Sequence, residues 1–428
     1  MTDHPVQPIL LVGYSLAWQH ALAANDAAGR YVFIEEPDVV RKREIAPQLE
    51  SGGSAFELMP WEYQLPAAAD RFYVAHPDLA PAAIVPVIEY SVPFAARLAE
   101  RYGTPGAGLG AATVLRNKHL LRQVSAQAGV PNPRSRPVSG SGAVRSFMQK
   151  CGRSVVLKPA NRQASVGTRV IEQVADVAGA WHECIEQDEG VVVPDRPMPL
   201  EMLVEEFVQG DEFSVEMVVR DGEPLFTNVT RKLLFPGSRP VELGHLVPAD
   251  VPREVTEMLG DHTRLVLDAV AFGSGYVHCE WIVSGGVPYL VECAGRMPGD
   301  YIVPLIDQAW GIDTLSVFLS VMRGEPLAVA PPREPRGGAA IRYLEAEPGT
   351  VVSVSGVEAA RELPGVLDAS VTVEPGDRTS AVCSSWDRVG MVMAEAETAS
   401  AAMDVAARAA GMIGVEVAGQ LEVSLTAA

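Results

Sequence analysis

The chain has few cysteines, and they lack the paired spacing that is typical of disulfide frameworks and zinc sites. Its 428 residues include five cysteines, and none of them belongs to a CxxC motif. Disulfide frameworks and cysteine-based zinc sites both need paired spacings, so neither is indicated. Unpaired cysteines are typical of a reducing compartment, and we therefore expect a cytoplasmic location.

Positive charge is also scarce. The sequence has 34 Lys and Arg against 54 Asp and Glu, which gives a formal net charge of -20. This balance disfavours nucleic acid and anionic membranes as main partners, and a small molecule carried with a cation fits better. The first 18 residues have no basic leader region and only a short apolar run. We expect neither export nor a membrane span from this segment.

The common signatures of nucleotide-binding proteins and hydrolases are missing. The sequence contains no GxxxxGK[ST], GxGxxG, HExxH or GxSxG motif. Each of these motifs supplies a phosphate cradle, a metal site or a nucleophile, so those chemistries lose support. The remaining candidates for chemistry are charged residues that lie at the ends of predicted strands in the middle of the chain.

The hydrophobic content of 48% is enough for two or three domains with sizeable cores. Apolar runs at 8–12, 31–38, 72–76 and 83–88 predict strands of an opening β-α-β domain with a parallel sheet. The Gly- and Ala-rich stretch 103–112 predicts the end of this domain, which we assign to residues 1–112.

The middle region has a different pattern. We predict a helix that Thr113 caps and that continues to Gly129, followed by closely spaced strands at 154–160, 203–208, 212–219 and 223–229. Such spacing favours one antiparallel sheet and an α+β domain, assigned to residues 113–325. A Pro-rich linker follows, and residues 326–428 are predicted to end in a small α/β domain with strands within 376–386 and 414–425.

Two glutamates lie on neighbouring predicted strands. Glu280 belongs to YVHCEWIV and Glu292 to PYLVEC, and a Ser-Gly-Gly turn joins the two segments. A hairpin would make them cross-strand neighbours, and two close carboxylates repel each other unless a cation lies between them or one of them is protonated. Magnesium is the obvious cation because it prefers oxygen ligands and bridges nucleotide phosphates. Strand edges that point to water remain the alternative.

Two further segments fit a phosphate and a nucleoside. Lys158 ends an apolar strand, and the loop after it contains Ser165 and Gly167, small residues that let backbone N–H groups approach phosphate oxygens. In LVEEFVQGDE, Glu205 and Glu212 flank a turn that fits an adenine edge and ribose hydroxyls. An ordinary strand end and a solvated acidic hairpin are the respective alternatives.

Taken in order, these segments resemble the ATP-grasp superfamily over residues 113–325. The sequences that carry the resemblance are NK (117–118), VLKPA (156–160), VEEFVQGDEFSVE (204–216), CEW (279–281) and VECAGR (291–296). The resemblance implies an α/β plus α+β protein with the ATP-grasp fold. Its parts would be an N-terminal Rossmann-like domain with a parallel sheet, a central ATP-grasp domain and a small C-terminal α/β domain. It also implies ATP and one or two Mg2+ ions as cofactors, with Mn2+ as a substitute.

The resemblance also implies roles for individual residues. The phosphates of ATP would contact Lys118 and Lys158 under a loop formed by Ser165, Gly167 and Thr168. The adenine would lie against Glu205, Glu206, Phe207 and Val208, with Glu212 at the ribose. Magnesium would be held by Glu280 and Glu292, and Arg296 would face the transferred phosphoryl group or the carboxylate under attack.

Residues 230–250 and the tail from 338 are similar to L-amino acid ligases, which form dipeptides. Arg231 and His245 thereby become candidates for holding a substrate carboxylate or shaping the amine site, beside Lys158 and Arg296. The activity implied is an ATP-dependent carboxylate-amine ligase that works through an acyl phosphate on a small acid and an amine. Homodimers are common in this group.

One departure keeps other functions open. Many ATP-grasp relatives have a metal-binding asparagine two residues after the second glutamate, where this chain has Ala294. Carboxylating relatives also carry alanine there, so a biotin-dependent carboxylase is one alternative, although no MKM biotinylation motif occurs. A nucleotide-binding protein without catalysis is another. The general base for the amine is not identified, with His278 and His245 as the options.

Overall fold

The computed structural model describes residues 7–25, 29–51, 55–187, 189–237 and 239–418. The strands are β1 (Ile9–Val12), β2 (Tyr31–Glu35), β3 (Phe56–Pro60), β4 (Ala83–Pro86), β5 (Ser135–Val138), β6 (Val155–Pro159), β7 (Arg169–Ile171), β8 (Met202–Glu206), β9 (Asp211–Arg220), β10 (Glu223–Leu234), β11 (Glu242–Val247), β12 (Gly275–Ser284), β13 (Val287–Ala294), β14 (Gly338–Leu344), β15 (Gly349–Ser355), β16 (Val366–Val371), β17 (Arg378–Thr379), β18 (Gly390–Ala396) and β19 (Gly414–Ala418). The helices are α1 (Leu16–Asn25), α2 (Pro37–Lys42), α3 (Ile45–Ser51), α4 (Ala68–Ala75), α5 (Val92–Tyr102), α6 (Leu109–Leu115), α7 (Lys118–Gln127), α8 (Ser141–Cys151), α9 (Val177–Glu186), α10 (Arg253–Val270), α11 (Ile302–Trp310), α12 (Thr314–Met322), α13 (Val357–Arg361) and α14 (Ala399–Ala410).

The N-terminal region contains a four-stranded sheet in the order β3-β2-β1-β4, and all its strand pairs are parallel. Strand β1 is buried on both faces, because Ile9 and Leu11 pack into one hydrophobic cluster while Leu10 and Val12 pack into another. Burial on both faces explains its continuous apolar sequence. The predicted parallel sheet is confirmed.

The prediction of a strand at 72–76 was wrong. These residues belong mainly to helix α4, on which Ala68, Ala69 and Phe72 are buried. Their spacing is that of a helix face rather than of a strand, and the short apolar window FYVAH hid it. The fourth strand of the sheet is β3, which the sequence reasoning missed.

The helix predicted to start at Thr113 is two helices. Helix α6 ends at Leu115, and α7 starts at Lys118, where the Asn117 side chain accepts hydrogen bonds from the N–H groups of His119 and Leu120. Thr113 therefore does not cap a helix; its hydroxyl donates to the Leu109 carbonyl inside α6. The break places Lys118 at a helix start.

The strands of the middle region form two sheets instead of the single sheet predicted. Strands β5-β8-β6-β7 form a small antiparallel sheet. Strands β9 and β10 belong to an eight-stranded antiparallel sheet in the order β13-β12-β9-β10-β11-β14-β18-β16. The segment between β8 and β9 therefore crosses from one sheet to the other rather than forming a hairpin turn.

Strands β14, β16 and β18 come from the C-terminal part of the chain and extend the large sheet beyond β11. A third antiparallel sheet, β17-β15-β19, lies in the same part. Within 376–386 only β17 is a strand, and of the strand predicted at 414–425 residues 414–418 form β19 while the rest lies outside the described residues. Helices α13 and α14 pack on the C-terminal strands.

In the described part of the chain, no single helix has both the length and the apolar composition needed to cross a bilayer. Helices α11 and α12 meet that test only when they are taken together, and the pair is bent by 107°. Both contribute buried side chains to the hydrophobic cluster between the N-terminal sheet and the large sheet.

Candidate active site

The large sheet has one apolar face and one polar face. In β9, the side chains of Phe213, Val215 and Met217 pack into the hydrophobic cluster beneath α10. Successive side chains of a strand point to opposite faces, so Glu212 and Glu216 lie on the other face. The same alternation in β10, β12 and β13 turns further charged residues to this polar face.

Glu280 and Glu292 face each other on this surface. They are paired directly in the β12-β13 ladder, as the hairpin hypothesis predicted. Each carboxylate is bound by a lysine, since the Nζ of Lys232 lies 2.7 Å from Glu280 and that of Lys118 lies 2.8 Å from Glu292. Burial alone would raise the pKa of Glu280 and Glu292, but the lysines hold both below the usual value.

Lys232 lies at the centre of a carboxylate cluster. Its Nζ also lies 3.1 Å from Glu242, and it is paired with Glu212 in the β9-β10 ladder. Burial opposes the charge of Lys232, yet these carboxylates raise its pKa well above the usual value. Burial raises the pKa of Glu212 to about 7, although Lys232 opposes this shift. One ammonium thus lies among three carboxylates, those of Glu212, Glu242 and Glu280.

A network around Glu216 fixes the histidine next to this cluster. The fully buried Glu216 carboxylate accepts hydrogen bonds from Ser214, Asn228 and Thr230, and lies 3.0 Å from His278 Nδ1. His278 Nε2 lies 3.2 Å from Glu280. Burial disfavours the imidazolium, but these two carboxylates outweigh it and raise the pKa of His278 to about 9. This shift favours the protonated ring at neutral pH, which argues against His278 as the general base.

The donor set at Glu280 and Glu292 fits magnesium bound together with phosphates. Among the described residues, no three His, Cys, Asp or Glu side chains come together in a way that could enclose a metal ion. Magnesium in nucleotide sites takes one or two carboxylates and completes its shell with phosphates and water, so two facing carboxylates are enough. Both carboxylates already bind a cation, which shows that the position favours positive charge.

Lys158 lies in β6 and is bound to the small sheet's own carboxylate. Its Nζ is 2.6 Å from Glu205 Oε2, and Arg122 Nε is 2.8 Å from the other oxygen of Glu205. Burial lowers the pKa of Lys158, against the opposing effect of Glu205. Burial would raise the pKa of Glu205, yet Arg122 and Lys158 lower it. The Glu205 side chain therefore positions the lysine, which leaves only its backbone for an adenine.

The end of β8 leads into the segment that joins the two sheets. The Glu206 side chain turns outward to Arg134, at 2.9 Å, and the backbone N–H of Phe207 donates to the Ser154 carbonyl. The backbone N–H of Val208 has no hydrogen-bond partner among the described residues. This free donor next to the sheet crossing is suited to a purine edge.

The small-residue loop after β6 is closed on itself. Ala164 and Ser165 both have positive φ, and the Ser165 hydroxyl donates to the Pro240 carbonyl. The N–H groups of Gly167 and Thr168 are bound to Gln187 Oε1 and to the Ser165 carbonyl. A Cβ on Gly167 would lie 2.7 Å from a backbone oxygen, so this close turn needs glycine. The loop must release these bonds before its N–H groups can bind phosphate.

Arg296 lies between the central and N-terminal parts of the chain. Its Nε donates to Glu89 at 2.8 Å, and it follows β13 directly. The loop continues to Asp300, whose carboxylate binds Arg388 at 2.6 Å and 3.0 Å and lies 3.4 Å from His245. His245 is thus adjacent to the loop that carries Arg296.

Arg231 is not brought to this cluster. It follows Thr230 and precedes Lys232 in β10, so its side chain points to the opposite face of the sheet, where it binds Asp211 at 3.0 Å. The hypothesis that Arg231 holds a substrate carboxylate has no geometric support. Lys232, the next residue, is the one that the alternation places among the carboxylates.

The sequence analysis did not identify several charged residues in and around the candidate site. These are Arg122, Glu216, Lys232, Glu242, Asp300 and Arg388. Polar residues at alternate positions in β9 (Glu212, Ser214, Glu216) did signal a polar strand face. No comparable signal marked Arg388, because it reaches Asp300 from 88 residues further along the chain.

Comparison with protein families gives two matches within the chain. Residues 151–304 match the ATP-grasp domain, and residues 342–418 match the L-amino acid ligase C-terminal domain 2. The first match contains Lys158, the Glu280–Glu292 pair and Arg296. The second begins inside β14, where the C-terminal strands join the large sheet.

Known proteins agree with these matches. The chain is similar to the uncharacterized protein y4rH of Sinorhizobium fredii, at 26% identity over 73% of this chain and 63% of that protein. It is 24% identical to an alanine–anticapsin ligase of Bacillus subtilis over 53% of this chain and 51% of that enzyme. The crystal structure of an L-amino acid ligase from Bacillus licheniformis superposes with a TM-score of 0.75 at 16% identity, covering 97% of this chain and 100% of that one.

The matched part of this chain spans 63% of the length of the Sinorhizobium protein and 51% of the length of the Bacillus subtilis ligase. The solved structure therefore has the same fold over nearly the whole of this chain. The chain therefore combines an ATP-grasp domain, at residues 151–304, with a C-terminal domain of the L-amino acid ligase type, at residues 342–418.

Proposed function

We propose that this protein is an ATP-dependent carboxylate-amine ligase that forms an amide bond between a small acid, such as an amino acid, and an amine. The observation that carries the proposal is the directly paired Glu280 and Glu292, each bound to a lysine, on the polar face of an ATP-grasp sheet. The C-terminal domain of the L-amino acid ligase type supports this activity among those of the superfamily.

The residues of the chain bind and orient ATP in this reaction. Lys118 and Lys158 contact its phosphates, the loop at Ser165–Thr168 closes over them, and the backbone at Val208 faces the adenine. Glu212, which is buried beside the crossing of the two sheets, faces the ribose. Glu280 and Glu292 would hold magnesium, which would supply positive charge against the phosphates. Lys118, which binds Glu292 at 2.8 Å, would pair with a phosphate in place of that carboxylate.

The chemistry takes place in two steps. An oxygen of the acid's carboxylate attacks the γ-phosphorus of ATP, the bond to the β-phosphate oxygen breaks, and an acyl phosphate and ADP result. The amine nitrogen then attacks the acyl carbon, phosphate leaves, and the amide loses a proton. In this proposal Arg296 stabilises the carboxylate and the transferred group, and positioning and electrostatics supply most of the rate.

Ala294 affects the metal rather than the reaction type. Because the side chain at this position is apolar, water would have to supply the coordination that an asparagine oxygen provides in many relatives. A second Mg2+ is therefore expected to bind more weakly than the first. A homodimer and a cytoplasmic location remain predictions from the sequence.

Phosphate release from Mg-ATP tests the proposal. Purified protein is given the amino acids singly and in pairs, and bicarbonate is tested in a separate well. Release that requires a carboxylate and an amine together, with an amide product in the mass spectrum, is the expected result. Glu292→Gln should abolish the phosphate release. Glu172→Gln changes an exposed glutamate directly after β7 and should retain the phosphate release.

Two other outcomes would contradict the ligase. Release that depends on bicarbonate would indicate carboxylating chemistry, which Ala294 permits. ATP binding without phosphate release in every mixture would indicate a nucleotide-binding protein without catalysis.

A further inference from the structure

Glu205 is a buried carboxylate that binds two cations. Its Oε1 accepts a hydrogen bond from Arg122 Nε at 2.8 Å, and its Oε2 lies 2.6 Å from the Nζ of Lys158. The side chains of Glu205 and Arg122 are each 4% exposed, and that of Lys158 is 9% exposed. In the part of the chain that the structure describes, neither cation has a second carboxylate within ion-pair distance. Two buried cations thus share one carboxylate.

The two cations differ in their other contacts. Arg122 is also bound through Nη2, which donates to the Val291 carbonyl in β13 at 2.7 Å. The Nζ of Lys158 has no acceptor other than Glu205 among the described residues, although an ammonium carries three N–H donors. Lys158 is therefore the partner of Glu205 that has donors available for another anion.

Lys158 also acts on carboxylates of the large sheet. Burial is the main influence on the pKa of Glu212 and of Glu292, and Lys158 is among the cations that oppose it at both. Its ammonium thus lies between Glu205 in the small sheet and the polar face of the large sheet. The proposed function places the phosphates of ATP in this region.

Moving Lys158 from Glu205 to a phosphate changes the charge balance at Glu205. A buried carboxylate that loses its last counter-charge is strongly destabilised, because neither water nor a cation then stabilises it. With Arg122 in place, Glu205 keeps one cation after Lys158 has left. Without Arg122, the same exchange leaves a buried carboxylate unpaired, so that ATP has to compete with an ion pair.

We propose that Arg122 is a positioning residue for ATP binding, which keeps Glu205 compensated and thereby allows Lys158 to exchange that carboxylate for an ATP phosphate. The inference rests on the role of Lys158 in the proposed function and adds a residue that acts through Glu205 rather than by touching ATP. Arg122 also joins the two sheets, since it binds Glu205 in β8 and the Val291 carbonyl in β13. It thereby holds β8 beside the strand that carries Glu292.

The dissociation constant of Mg-ATP, measured by calorimetry without acid or amine, tests the exchange. Arg122→Gln should raise the Kd of ATP about 10-fold or more, because Lys158 then has to leave Glu205 unpaired. Arg122→Lys keeps a cation beside Glu205 and should bind ATP within about 3-fold of the wild type. In the ligase assay the KM of ATP should follow its Kd, whereas kcat at saturating ATP should change by less than about 3-fold.

A double variant separates this role from a structural one. Arg122→Gln combined with Glu205→Gln should return the Kd of ATP to within about 3-fold of the wild type, because Lys158 no longer has a carboxylate to leave. A purely structural role of Arg122 predicts no such recovery, since the double variant has lost both ends of the ion pair.

The next glutamate along β8 provides a matched control. Arg134 binds Glu206 at 2.9 Å, but its side chain is 59% exposed. Arg134→Gln should therefore leave the Kd of ATP unchanged. Lys158→Met should raise this Kd at least as much as Arg122→Gln does, because it removes the cation that takes the phosphate.

Two results would overturn the proposal. One is an unchanged Kd of ATP in Arg122→Gln while Lys158→Met binds ATP weakly, and the other is an equal loss of affinity in Arg122→Gln and in the double variant. If circular dichroism shows that Arg122→Gln does not fold, Arg122→Lys and the double variant decide, and a loss of about 10-fold in either overturns the proposal.

Failure of the proposed function gives different results. An unchanged Kd of ATP in Lys158→Met would remove Lys158 from the phosphate site, and the exchange with it. If the variants bind ATP as expected but no pair of substrates yields an amide, the ligase reaction fails and the role of Arg122 in ATP binding stands.

Discussion

Lys232 is the residue on which the carboxylate face of the large sheet depends most. Its Nζ binds Glu280 and Glu242, and its strand partner is Glu212. These side chains are largely buried, so solvent screens their repulsion little. Removing the ammonium leaves buried negative charges without compensation, and this is the costly way to disrupt a buried ion pair.

We expect Lys232→Met to lower the free energy of unfolding by about 3–5 kcal/mol, because the carboxylates lose their counter-charge. Urea denaturation at pH 7 measures this loss. Mg2+ should recover more stability in the variant than in the wild type, since it replaces the missing cation. Lys150→Met removes an exposed lysine at the end of α8 and should change stability by less than about 0.5 kcal/mol. A loss below about 1 kcal/mol in Lys232→Met would contradict the expectation.

Glu35, which lies outside the candidate site, is expected to make the stability of the protein depend on pH. It lies fully buried at the end of β2, where its carboxylate accepts hydrogen bonds from the N–H groups of Tyr14 and Glu36. Burial raises its pKa to about 7, from 4.5. Below pH 4.5 both folded and unfolded states are protonated, so its contribution is fully present there. As pH rises towards 7 the unfolded state ionises first, and stability is lost.

We expect the wild type to lose on the order of 3 kcal/mol of stability from this group between about pH 4.5 and pH 7. In Glu35→Gln this part of the pH dependence should disappear, even if the variant is less stable at every pH. The measurement is the difference between the two proteins in unfolding free energy across that range. Parallel pH profiles would show that Glu35 does not titrate there.

At the scale of elements, the start of α7 positions Lys118. Asn117 accepts hydrogen bonds from the N–H groups of His119 and Leu120, which fixes the first turn of the helix. Lys118 is the first residue of that turn, and its backbone N–H also donates to the Ala160 carbonyl next to β6. The cap therefore holds the lysine that binds Glu292.

Asn117→Ala should destabilise the protein by about 1 kcal/mol through loss of the cap, and it should weaken ATP binding because Lys118 is less well positioned. Thermal unfolding and nucleotide titration measure the two effects. Thr113→Ala tests the cap that the sequence suggested and should cost less than about 0.5 kcal/mol, because Thr113 is exposed within α6. The reverse order of the two losses would contradict the structure.

Helices and strands whose apolar residues recur at a clear spacing could be predicted from the sequence. The alternation in 276–293 predicted the hairpin that pairs Glu280 with Glu292, and the apolar runs of β1 and β2 predicted a parallel sheet. The short window at 72–76 could not be assigned, since five apolar and polar residues fit a strand as well as a helix. The separation of β8 from β9 was equally hidden, because two adjacent strands look alike in sequence whether or not they share a sheet.

At the scale of the whole molecule, the C-terminal region contributes directly to the candidate site. Arg388 binds Asp300 with two hydrogen bonds and lies 3.7 Å from the centre of the Tyr343 ring. Burial would raise the pKa of Asp300, but His245 and Arg388 hold it far below its usual value. Asp300 follows Arg296 by four residues, so this contact fixes the Arg296 loop.

Arg388→Ala should lower the unfolding free energy by about 1–3 kcal/mol, since it removes two charge-assisted hydrogen bonds from the partly buried Asp300 carboxylate and leaves only His245 beside it. The double variant Arg388→Ala, Asp300→Asn should regain part of this loss, because it removes the unpaired charge as well. Chemical denaturation of both variants is the measurement. Arg408→Ala, on the exposed face of α14, should be nearly neutral. A double variant less stable than Arg388→Ala would argue against the ion pair as the cause.

The sequence by itself determined the family, the order of the motifs and the pairing of the two glutamates, because these depend on local periods and on segments that are near each other along the chain. The tertiary structure decided which charges meet. It turned Lys232 instead of Arg231 towards the carboxylates through the alternation of β10, and brought Arg388 to Asp300 across 88 residues. Contacts of this kind depend on the relative placement of separate sheets, which local sequence patterns do not encode.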